Sequence, residues 1–508
     1  MMTQSQLLRG IVMVAFVLLT LLSMASFGIL GGILPLIVIG GCMLIGRPRM
    51  LLFLFWGWAV SGELIAYLAR NPLFDNLAII VDVGLLGVLV ATSILQRKVL
   101  LDATPVARVA LGLIGLTFLS FLANRPPIGG ALHFGIAYFR FLIVFAYMRM
   151  FLQPSDARLC YFVMIGSLVL QVVPNMGWLL RINPLPNYVI NTTDYAIGTV
   201  QSCSAVSYLC IACICVMLCA TMSPLLPRRR RILSAVVLFV AIVQIVLTFT
   251  IHACMIAAFC CGLFAVMSGV SRRTKFLVLL ATVIAIAGFM QLRNRVARQE
   301  ESQGVWGQLS SENLRTRWFR MLNGVKGRAY RDVLLYSHRD MPYFVLGAGP
   351  GNFGSAMGRK QARPLAERYF NYIFRATSEQ MRQITAGGSI TGIPYSGALA
   401  IWTELGPVGY LLYWGLHVYA MLRFRRFVKR KAYTDPFRHV LAEGFVLTMP
   451  AWLILNFLSD FCYVRFLHGG LWIWAAVIWD PDEPRHDEDG GSARRDLGPE
   501  RASVPAVH

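Results

Sequence analysis

Charge is scarce in this chain. Only 14% of its 508 residues are Asp, Glu, Lys or Arg, where soluble globular proteins carry about a quarter. That shortage excludes an ordinary soluble domain. Other absences narrow the chemistry. No glycine-rich stretch ends in Lys-Ser or Lys-Thr, so the phosphate-loop pattern is missing. No cluster of Asp, Glu and His stands in the connections read as external, so the sequence predicts neither a metal nor a cofactor. Nothing points to nucleic acid as a partner. No repeat relates the two halves, and carboxylates inside apolar runs are few: Glu63, Asp82 and Glu443. Both observations speak against a transporter built from repeats and intramembrane charge pairs. The long polar segment 293–395 has no cysteine, which excludes a disulfide framework there. The eleven cysteines fall in or at the ends of apolar runs. Within them "CIACIC", Cys210 to Cys215, reads as small, polarisable packing and not as metal ligation.

What the sequence has in quantity is apolar length. Hydrophobic residues make up 57% of it, and the mean hydropathy is +0.61. Runs of about 17–25 apolar residues recur, each able to cross ~30 Å of hydrocarbon. They predict an all-α polytopic membrane protein of about 14 transmembrane helices. The spans are 8–28, 30–46, 50–69, 76–95, 108–123, 132–151, 159–180, 200–223, 232–249, 251–270, 276–292, 396–421, 439–459 and 466–480. The stretch 232–270 reads as two spans or as one broken element. The first run reads as a retained span and not as a cleaved signal.

Lys and Arg are retained on the cytoplasmic side. With the N-terminus inside, the inside connections hold 22 basic residues and the short outside ones hold four (Arg70, Arg125, Arg181 and Arg465), which sets both termini in the cytoplasm. The segment 293–395 then becomes one large periplasmic helical loop, and long loops cross regardless of charge. The chain divides into eleven spans over 1–292, the loop 293–395, three spans over 396–480, and a polar cytoplasmic tail 481–508 that reads as disordered.

A loop of this length that folds is usually functional. Its middle, Asn313 to Asp340, reads as amphipathic helix. There Arg317 and Arg320, and again Arg328 and Arg331, are i,i+3 neighbours whose guanidinium groups can converge. Convergent guanidinium groups match phosphate oxygens; the alternative is an interfacial helix meeting anionic lipid headgroups. Then comes "FVLGAGPGNFGSA", Phe344 to Ala356. Its Gly347, Gly349 and Gly351 permit a sharp turn able to aim backbone N–H groups at an anion.

The stretch Gly327 to Phe353, with "YSGALAIWTELGPVGYLLYW" from Tyr395 to Trp414, resembles the O-antigen ligase/O-antigen polymerase family of bacterial envelope glycosyltransferases. The arginine of that family's pattern matches Arg328, and its glycine turn matches Gly347 to Phe353. Its acidic residue matches Glu404, with Gly406 and Gly409 behind. Weaker echoes are "YAIGTVQSCSAVSYL" and "LTFTIHACMIAAF", so the likeness runs over roughly Tyr195 to Trp414. The chain departs from the pattern twice. Tyr395 and Ser396 stand where the family has His-Asn, and His252 stands where it has Arg.

The resemblance implies an integral glycosyltransferase of the bacterial inner membrane. Its donor would be an undecaprenyl-diphosphate-linked oligosaccharide, and its partners membrane lipid and a chain-length regulator and flippase of the same pathway. The expected reaction is polymerisation of repeat units. Ligation of finished glycan to lipid A-core is the close alternative, and a lipid-linked saccharide flippase is the alternative of another class. With no metal loop visible, arginines must stabilise the leaving diphosphate. Arg328 is the first candidate, backed by Arg331, Arg317 and Arg320. Glu404 is a candidate base or sugar ligand, or else a carboxylate at a helix N-terminus. Tyr395 could hydrogen-bond the substrate, but a phenol is a poor base at neutral pH; His338 is the substitute. Arg140, inside a span, is functional by default, or pairs with Asp82 or Glu63. His252 occupies an outside turn where it could touch the substrate.

Overall fold

The computed structural model describes residues 105–179, 203–248, 251–267, 396–458 and 465–480, the turn 345–352, and single positions at 56, 57, 59, 60, 273, 276, 280, 283, 284, 287, 288, 291, 327, 330, 331 and 462. The four spans expected before residue 100 therefore lie almost wholly outside the described residues. So do most of 276–292 and 293–395 and the whole of the tail.

The described residues are helical, with no strand among them. Their helices are α1 (Pro105–Asn124), α2 (Ile128–Phe151), α3 (Ala157–Leu179), α4 (Cys203–Met222), α5 (Arg228–Leu247), α6 (Ile251–Met267), α7 (Gly397–Lys429), α8 (Pro436–Leu458) and α9 (Arg465–Ile478). Each falls on an expected apolar run, and 232–270 resolves into two helices separated at Thr248. Six of the described helices are long and apolar enough to cross a membrane. That marks the chain as a membrane protein.

Local chemistry sets the helix ends. Proline precedes or opens α1, α2, α5 and α8, where a missing N–H costs nothing. The Asp435 carboxylate accepts from the N–H groups of Phe437 (2.7 Å) and Arg438 (3.2 Å) at the start of α8. The Ser396 hydroxyl accepts from Leu399 N–H at 2.9 Å at the start of α7.

α4 and α8 form the centre. α4 packs against α5, α6 and α8, and α8 also meets α7 and α9; α2 lies on α9, and α1 on α7. α4 is apolar all round, as a fully enclosed helix must be. Cys210, Cys213, Cys215 and Cys219 are free thiols within that core. α1 and α5 instead expose Leu111, Phe118, Leu122, Val236 and Phe239, faces suited to lipid. Single hydrogen bonds stitch the helices: Tyr161 to Ser234 (2.7 Å), Asn175 to Gln244 (2.7 Å) and Ser207 to Thr248 (2.6 Å). Each is worth about 0.6 kcal/mol inside a bilayer.

Short connections make successive helices antiparallel, so the bundle has two unlike ends. One collects Arg149, Arg158, Arg228 to Arg231, Arg423 to Lys431 and Arg438. The other collects the turn 345–352 with the end of α1 and the start of α2.

The expectation of one continuous span at 396–421 needs correction. α7 is two helices joined at Gly406, whose φ of 69° and ψ of −178° are not helical. Tyr413 donates towards Cys462 Sγ at 3.3 Å, while a Cβ on Gly397 would lie 3.0 Å from the same sulfur. In a straight helix those two residues would stand ~24 Å apart, far beyond what one cysteine can bridge. The arm 397–405 therefore folds back on 407–429.

Candidate functional site

The break in α7 creates the need that the glycine turn meets. A proline has no N–H, so Pro407 leaves the carbonyl of Thr403, four residues earlier, without its helical donor. Ala348 of the turn supplies one, its N–H donating to Thr403 O at 2.7 Å. The next carbonyl, that of Glu404, accepts from the Ser120 hydroxyl of α1 at 3.2 Å. The Glu404 side chain completes the joint by accepting from Gly351 N–H. From the other side Asn124 at the end of α1 donates to Gly347 O at 3.0 Å and to Ser120 O at 2.9 Å. A loop segment and a helix break some fifty residues apart thus satisfy one another's backbone.

Glycine is required at two places in this joint. Gly347 (φ 71°) and Gly351 (φ 73°) adopt left-handed backbone. A Cβ on Gly347 would collide with the Glu404 carbonyl, and one on Gly351 with the Gly130 carbonyl of α2. The expected anion-binding use of the turn meets a physical limit. The N–H groups of Ala348, Gly351 and Asn352 point at Thr403 O, Glu404 and Gly349 O, inside the protein.

At the far end of the arm 397–405 sits the other half of the site. Tyr330 hydrogen-bonds the Ser396 hydroxyl and donates to Phe457 O at 2.8 Å, and its ring stacks on Phe457 at 4.8 Å. Arg331, the next residue, is helical and exposed. Tyr330 and the glycine turn thus dock at opposite ends of one nine-residue arm, where Ser396 and Glu404 are both buried.

Two further candidates are described. Arg140 is buried in α2, 5% exposed, ten residues and about 15 Å along the helix from Gly130. His252, at the start of α6, pairs through Nε2 with the Tyr208 hydroxyl at 3.0 Å. Arg317, Arg320, Arg328, His338 and Tyr395 lie outside the described residues, as do Asp82 and Glu63.

The sequence reading missed several participants. Ser120, Asn124 and Gly130 carry no motif. Pro407, four residues after Thr403, was a usable signal for an open carbonyl. Also unanticipated is a pair of wholly buried histidines, His417 and His468, with Nε2 atoms 3.1 Å apart and rings stacked at 5.3 Å. His417 Nδ1 faces the Tyr413 carbonyl at 2.9 Å and must donate to it. In neutral His417 Nε2 then accepts from His468.

No protein-family model matches the chain, and no curated protein is similar to it. A functional reading therefore rests on the residues and their geometry.

Proposed function

We propose that this chain is a membrane glycosyltransferase that polymerises undecaprenyl-diphosphate-linked repeat units at the outer face of the bacterial inner membrane. One observation carries the reading. Residues from the three stretches that bear the family likeness (Tyr330, the glycine turn and the start of α7) meet around the arm 397–405 at the end of the bundle away from its arginines. Positive residues mark the cytoplasmic side, so this end faces the periplasm.

In the reaction a hydroxyl oxygen of the acceptor unit forms a bond to the anomeric carbon of the donor glycan. The bond from that carbon to the carrier diphosphate breaks, the electron pair leaves with the diphosphate, and the hydroxyl proton goes to a base or to water. Charge gathers on the diphosphate as its bond breaks, and fixed cations there lower the barrier most. Arg328 and Arg331 supply them, with Arg317 and Arg320 in support. Tyr330 holds their segment on Ser396 and Phe457. Arg140, about 15 Å down α2 from Gly130, and His252, at the start of α6, serve other contacts of the lipid-linked substrate.

The test is removal of the protein followed by analysis of envelope glycans. Single repeat units capped on lipid support a polymerase. Polymer stranded on its carrier supports the ligase reading instead, and units trapped inside the cell support a flippase.

A further inference from the structure

We infer that Glu404 is a positioning residue, whose carboxylate fixes the glycine turn to the break in α7, and is not the base that takes the acceptor proton. The inference rests on the site reading above and sharpens it. A general base must reach the substrate hydroxyl within hydrogen-bond distance, about 2.6–3.2 Å. Glu404 has no exposed surface, and its carboxylate is turned to Gly351 N–H. Gly351 in turn is pressed against the Gly130 carbonyl, so no sugar can enter between them. The backbone agrees with the side chain. The Glu404 carbonyl takes the Ser120 hydroxyl of α1, and the preceding carbonyl takes Ala348 N–H. One residue at the break thereby ties α1, α7 and the turn together, which is what a joint requires and a proton acceptor does not.

Glutamine can still accept the Gly351 N–H but cannot take a proton at neutral pH; alanine can do neither. The purified protein, reconstituted with lipid-linked repeat units, is compared with its Glu404→Gln and Glu404→Ala forms. The expected result is that Gln stays within about threefold of the parent kcat with an unshifted pH profile, while Ala falls by at least tenfold. Loss of a general base costs about 10²–10⁴-fold, so a fall of a hundredfold or more in Glu404→Gln overturns the inference, as does full activity in Glu404→Ala. A second readout needs no turnover. A thiol placed by Asn352→Cys should label with a membrane-impermeant maleimide faster in the Ala background and at the parent rate in the Gln background. Equal rates in all three backgrounds overturn the positioning role. Absence of glycosyl transfer in the parent protein would instead remove the proposed function, leaving the labelling to decide the role of Glu404.

Discussion

The two ends of the bundle are fastened by different chemistry. At the arginine end, charge closes the helix termini. Arg438 donates from Nε to Val477 O at 3.2 Å and from Nη2 to Asp480 O, and Arg423 donates to Trp479 O at 3.3 Å. Arg149 meets the Asp480 carboxylate at 3.4 Å. Cations at a helix C-terminus are favourable, and all three come from helices already in the bundle. At the opposite end the fasteners are amides, hydroxyls, backbone N–H groups and the single carboxylate of Glu404. The decisive ones arrive from a loop segment outside the bundle's own helices: Ala348 and Gly351 on the break in α7, and Tyr330 on its start. Among the described residues, the first end is fastened by the bundle's own helices. The other takes hydrogen bonds from a separate segment, which is held in register there.

The comparison can be broken most severely at the loop's cations. Arg328→Ala should abolish polymer while the protein remains in the membrane; normal chain-length ladders from that variant would remove Arg328 from the site. Next comes Gly351→Ala, which forces a side chain into left-handed backbone, costing about 1–3 kcal/mol, and into the Gly130 carbonyl. It should lower polymerisation at least tenfold and lower the thermal midpoint in detergent; unchanged activity would mean that the turn need not dock. The double change Gly406→Ala with Pro407→Ala returns a helical N–H to Thr403 O and competes with Ala348. A several-fold fall in kcat is expected, with faster maleimide labelling at position 352. Smallest in function, though not in stability, is Arg438→Ala at the other end. It leaves the buried Val477 carbonyl without its Arg438 donor at about 1–3 kcal/mol, seen as a lower thermal midpoint, and should leave the KM for the lipid-linked donor unchanged. A raised KM there would show that the two ends are not independent.

The helices were legible because lipid imposes length and apolarity directly on the sequence. α2, α4 and α8 fall where the apolar runs do, and the prolines at the starts of α2 and α8 and Arg149 in the last turn of α2 mark ends that local chemistry explains. The break in α7 was passed over because hydropathy measures content and not direction: "TELGPVG" is apolar enough to read through, although Gly406 and Pro407 stand in it. The joint itself was beyond local pattern. The use of Ala348 and Gly351 depends on a carbonyl opened by a proline far along the chain, and nothing near Ser120 or Asn124 signals that they meet it. The sequence cast the Glu404 carboxylate as a base, a sugar ligand or a helix-terminal group, and not as the partner of the turn, since burial is a tertiary fact that residue type does not reveal.

The most direct measurement is reconstitution of the pure protein in vesicles with an undecaprenyl-diphosphate-linked repeat unit on the outer leaflet. The account predicts a ladder of glycans of increasing length with matching release of undecaprenyl diphosphate, lost when Arg328 becomes alanine. Movement of intact units across the bilayer with no new glycosidic bond would contradict it.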